Sequence, residues 1–139
     1  MNLKKTVLLF SFILVGCVDR QNQFSKYENL FAIKGRDTTN IALLITGEQF
    51  IGNYEVYGPG GYFVQGEISG DVKGDSLLGS LYYTPYKWTD KKRKAFALLK
   101  KDSVYIQGHG LEYIYMNIPY YKRENVRFNG LVYKLGNKK

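Results

Sequence analysis

The chain has 139 residues, with 20 Lys and Arg against 12 Asp and Glu for a formal charge of +8, 16% aromatic residues and a single cysteine. One cysteine excludes an intramolecular disulfide, a cysteine-based structural zinc site and an iron–sulfur cluster. The length and a hydrophobic content of 45% suit one globular unit that buries its own core.

At the start of the chain, Lys4 and Lys5 precede an uncharged run from Thr6 to Val15. A basic start followed by a short apolar stretch is the pattern of a secretory signal, and the stretch is too short for a permanent membrane span. The only cysteine follows at once. Leu14-Val15-Gly16-Cys17 resembles the lipobox of bacterial lipoproteins. That resemblance implies a signal peptide over residues 1–16, cleavage before Cys17, and acyl chains on Cys17 that hold the protein to a membrane. Val18, rather than Asp, follows the cysteine, and in the enterobacterial sorting pattern this implies the outer membrane. Residues 17–26 are short and polar, which predicts a tether to one domain over 27–139.

Beyond the tether the recurring signal is the strand signal. Short runs of Ile, Val, Leu, Tyr and Phe are bounded by Gly, Asp, Asn or Pro at intervals of about 8–12 residues. The predicted strands are Tyr27–Ile33, Asn40–Thr46, Phe50–Tyr57, Tyr62–Ser69, Ser76–Thr84, Ala95–Lys100, Ser103–Gly108, Tyr113–Ile118 and Gly130–Leu135. Alternation is cleanest in the fourth, where Tyr62, Val64, Gly66 and Ile68 share one face and Phe63, Gln65, Glu67 and Ser69 the other. Asp followed by a hydroxyl residue closes Gly35–Thr38, Lys73–Ser76 and Lys100–Ser103, which predicts repeated hairpin turns. Gly58-Pro59-Gly60-Gly61 lacks the ending of a phosphate-binding loop and predicts a further turn. Gly52, Gly66 and Gly79 inside strands predict sharp bends. The fold expected is all-β: an antiparallel meander closing into a small, about eight-stranded, lipocalin-like barrel, with a flattened sandwich as the rival.

Order and spacing add a second resemblance. Asp37-Thr38, Gly52 and Tyr54, Gly66-x-Ile68-x-Gly70-Asp71, Gly74–Leu77 with Tyr82 and Tyr83 behind it, Phe96, and Ile106-x-Gly108-x-Gly110 follow one another in a loose pattern. The stretch from Tyr27 to the C-terminus resembles small β-rich lipoproteins of Bacteroidota, a likeness that implies the fold and the anchor but no particular activity.

Enzyme signatures are missing from the sequence. His109 is the one histidine and reads as a turn residue between two glycines, and neither G-x-S-x-G nor H-E-x-x-H occurs. No metal ligands, no cofactor and no catalytic residues are expected. The charge is uneven: residues 17–84 hold five basic and eight acidic side chains, a balance of −3, and residues 85–139 hold thirteen and four, a balance of +9. Lys87, Trp88, Lys91, Lys92, Arg93 and Lys94 concentrate that excess around the only tryptophan, and cations beside aromatics suit an anionic surface. The expected role is a binding module using this basic, aromatic loop, with an anionic envelope lipid or protein as partner and no nucleic acid. Two alternatives stand beside it. One is a lipocalin-like carrier of a small apolar ligand, with tyrosines lining the barrel and the inward glycines thinning its wall. The other is an inhibitor of a cell-wall hydrolase.

Overall fold

The computed structural model describes residues 27–136; the expected signal peptide, Cys17 and the tether lie outside the described residues. The strands are β1 (Glu28–Lys34), β2 (Asp37–Thr46), β3 (Gln49–Gly58), β4 (Tyr62–Lys73), β5 (Ser76–Thr84), β6 (Lys92–Lys101), β7 (Val104–His109), β8 (Glu112–Tyr115), β9 (Ile118–Tyr121) and β10 (Arg127–Leu135). Eight of them close into an antiparallel barrel in the order β1-β10-β7-β6-β5-β4-β3-β2, while β8 and β9 pair only with each other. The protein is therefore all-β, with a closed barrel of eight antiparallel strands as expected.

One predicted strand is corrected. Tyr113–Ile118 is not a barrel strand: it spans the turn of the β8–β9 hairpin, where Met116 and Asn117 both take left-handed backbone at φ +49° and +63°. Two consecutive left-handed residues fit the right-handed twist of a two-residue hairpin.

Alternation sorts the barrel walls. On β4, Val64 and Ile68 point inward and are buried, while Phe63, Gln65, Glu67 and Ser69 face outward. The core fills one half of the barrel with Leu30, Ile41, Leu43, Phe50, Ile68, Leu77, Leu81, Phe96 and Leu98. Each buried aliphatic or Phe side chain contributes about 1.5–3 kcal/mol. The links β1–β2, β2–β3, β4–β5 and β6–β7 are two-residue loops whose first residues, Gly35, Gly47, Gly74 and Asp102, have φ of +63°, +61°, +63° and +54°. The three Asp-hydroxyl segments do fall at hairpins, but what these turns share is the left-handed first residue. Gly70 and Gly79 face each other across β4 and β5, and a Cβ on either would meet the facing backbone. They bring the two strands together instead of thinning a ligand cavity.

Closure of the barrel is uneven. β1 and β10 pair at only two positions, Leu30 with Leu135 and Phe31 with Lys134. At the filled end this seam is fastened by Tyr105, whose hydroxyl donates to Glu28 Oε2 at 2.6 Å, and by Lys100, 3.7 Å from Glu28 Oε1. β6 and β7 pair from Leu98 with Gln107 to Lys101 with Val104 and then part. Beyond that point Glu112 takes the place of a strand, accepting the Ala95 N–H at 3.0 Å. The β8–β9 hairpin packs over this stretch, so Ala95, Phe96, Ala97 and Leu98 are buried on both faces of β6.

Candidate functional site

At the other end of the barrel the inward positions stop being aliphatic. Lys34 and Asp37 flank the β1–β2 turn, Val56 lies near the end of β3, Tyr62 opens β4, and His109 ends β7. Together with Thr39, Tyr54, Gln107, Gly130 and Leu131 they line a cup of about 460 Å³, within the range of small-molecule sites. Lys34 on β1 and Gly130 and Leu131 on β10 border the seam beyond the point where those strands pair, so brief pairing leaves room for the cup. His109, expected in a turn, is a strand residue of this lining.

Seven of the ten lining residues are polar, with Lys34 and Asp37 the charged ones, and burial acts on the phenols at and below the lining. Burial and then the neighbouring Tyr62 raise the Tyr54 pKa, the adjacent Thr39 hydroxyl partly opposes them, and Tyr83 adds to the rise. Tyr133 lies one inward position beyond Leu131 on β10 and is completely buried. Burial, followed by Tyr54, pushes its pKa up. The Tyr133 hydroxyl has no hydrogen-bond partner among the described residues. A buried hydroxyl left in this condition carries a desolvation penalty of about 1–3 kcal/mol. At neutral pH these groups are uncharged hydroxyls, able both to donate and to accept.

The six basic and aromatic residues singled out by the sequence do not share one surface. β6 begins at Lys92, so Lys92, Arg93 and Lys94 are strand residues on alternating faces. Lys87, Trp88 and Lys92 form part of the rim, with the Lys92 ammonium 3.9 Å from the Trp88 ring centroid and Lys87 5.3 Å from that of Tyr86. Lys91 and Arg93 lie on the outer wall, 5.1 and 4.9 Å from the Tyr82 ring. Lys94 shares the inward face with its partner Leu81 and stands 5.1 Å from the Tyr83 ring. Burial lowers its pKa, and Glu112 holds part of that fall back. The rim is closed on one side by Tyr86, whose ring packs on that of Tyr62 at 4.9 Å.

No three metal-ligating side chains converge among the described residues. Among the described residues, grooves of about 280 and 440 Å³ lie along the outer wall, and one of about 340 Å³ shares Tyr54 with the cup. These features define an antiparallel barrel with a polar cup at one end. Comparison with protein-family models, with curated proteins and with solved structures finds no match for the chain.

The cup escaped the sequence because its lining comes from six strands, four from the start of the chain and two from near its end. Tyrosines were expected to line the barrel, but neither Tyr54 nor Tyr133 was singled out for that role. Which of them face the same space depends on register.

Proposed function

We propose that the protein is a lipid-anchored binding protein of the bacterial envelope, held through Cys17 and carrying a small molecule in the cup at the end of its barrel. The observation that carries this reading is the cavity of about 460 Å³ at the end of a closed barrel, where Lys34, Asp37, Thr39, Tyr54, Tyr62, Gln107 and His109 line one space. Such a lining orients a ligand through hydrogen bonds, while Val56 and Leu131 supply its apolar walls. It favours a small, flat molecule with hydrogen-bonding groups over an acyl chain. The basic rim at Lys87 and Lys92 draws anionic molecules toward the mouth. The reading is of a binder, with no catalytic step assigned.

The test is native mass spectrometry of the gently purified chain beside Val56→Trp, which fills the cup. The expected outcome is a small adduct that is lost on denaturation and absent from Val56→Trp. Tyr133→Phe is expected to raise the stability of the ligand-free protein by about 1 kcal/mol, because it removes an unsatisfied group. An adduct that persists unchanged in Val56→Trp would place binding elsewhere. Adduct-free spectra, with no saturable uptake of anilinonaphthalene sulfonate by the wild-type chain, would overturn the cup as a binding site.

A further inference from the structure

The β8–β9 hairpin presents an apolar tip that neither the core nor the cup uses. Ile114, Tyr115 and Met116 are 72%, 70% and 79% exposed, with Leu111 and Ile118 also open to solvent. The base of the hairpin is fixed: Pro119 is buried, Glu112 is bonded to β6, and β9 packs on β5 and β6. Met116 is out of place on two counts. It takes the left-handed backbone that Gly or Asn adopts at little cost, and it displays a long apolar side chain to water.

The hairpin is layered from the tip backward. Behind the apolar turn, Tyr113 and Tyr120 form a ring pair at 5.8 Å, and behind them Lys122 stands 4.3 Å from the Tyr113 ring with Arg123 next in the chain. At a rise of about 3.4 Å per residue, the tyrosine pair lies about 10 Å and the Lys122 backbone about 17 Å behind the tip, with the Lys122 ammonium reaching forward to the Tyr113 ring. An apolar end, an aromatic layer at headgroup depth and cations beyond it match the sequence of environments in an anionic bilayer.

We propose that the β8–β9 hairpin inserts its tip into an anionic lipid bilayer, with Ile114, Tyr115 and Met116 among the acyl chains, Tyr113 and Tyr120 at the headgroups, and Lys122 and Arg123 on the lipid phosphates. The hairpin thereby orients the barrel on the membrane. This does not rest on the reading of the cup, and it holds with or without acyl chains on Cys17.

The test uses the full chain reconstituted into vesicles of phosphatidylethanolamine and phosphatidylglycerol. Trp88→Phe removes the native indole and Tyr115→Trp places one at the tip. The expected result is blue-shifted emission, quenched by lipids brominated on their acyl chains. Ile114→Ser with Met116→Ser is expected to lower the insertion equilibrium about tenfold or more. Lys122→Glu with Arg123→Glu should weaken insertion into these vesicles and leave that into phosphatidylcholine unchanged. Emission typical of water, with iodide quenching equal in the presence and absence of lipid, would overturn the proposal. So would equal insertion into phosphatidylcholine, or a blue shift that follows protein concentration instead of lipid, which would mean that a second copy covers the tip.

Discussion

Tyr105 and Tyr133 are both inward, fully buried tyrosines, and they differ in whether the hydroxyl finds an acceptor. Tyr105 donates to Glu28 and so ties β7 to the start of β1, where the barrel is fastened. Tyr105→Phe is expected to cost about 1–2 kcal/mol, less than a fully buried charged hydrogen bond because Glu28 is partly exposed. Urea unfolding of the two variants checks the contrast: Tyr105→Phe lowers the midpoint, whereas Tyr133→Phe does not. The sequence marks both residues as aromatic strand positions and stops there. What each hydroxyl meets depends on the register of β10, which shifts between Phe128 and Val132, and nothing local in Arg127–Leu135 announces that shift.

At the scale of the element, strands were legible wherever period-two alternation met a turn residue, and illegible where either signal failed. The hairpin at Met116-Asn117 was hidden because a methionine occupies the left-handed position that glycine or aspartate marks in the other two-residue turns. β6 was read as starting at Ala95, because the charged run at Lys92, Arg93 and Lys94 masks the alternation that continues through it. That shift of boundary distributes the basic cluster over the rim, the outer wall and the inward face. The glycines of β4 and β5 mark a close approach of the two strands. Gly79→Ala would press a methyl group into the backbone of Ser69 and Gly70, neither of which can yield without breaking strand pairing. The expected loss is about 1–3 kcal/mol, read as a lower thermal midpoint with earlier hydrogen exchange in β4 and β5. An unchanged midpoint would mean that the sheet does not depend on this close approach.

For the whole molecule, burial of phenols ties stability to alkaline pH. Tyr54, Tyr105, Tyr121 and Tyr133 all have a pKa raised above the ordinary 10.0, each chiefly by burial, with Glu28 adding to Tyr105 and Glu112 to Tyr121. Above pH 10 the folded barrel keeps protons that the unfolded chain releases, so this contribution is intact below pH 10 and is lost as pH climbs toward the folded values. Lys94 acts in the opposite sense. Its pKa is lowered from 10.5, so the folded state binds fewer protons than the unfolded chain, and stability gains as pH rises toward 10.5. Four phenols outweigh one ammonium whose shift Glu112 already moderates. The urea midpoint is therefore expected to fall once pH passes 10, and Lys94→Met should steepen that fall by removing the opposing gain. Tyrosinate absorbance is expected to include a late phase, from Tyr54, Tyr105 and Tyr133, that appears only as the barrel opens. Complete titration with near-ultraviolet dichroism intact would show that these phenols ionise in the folded protein and would overturn the linkage.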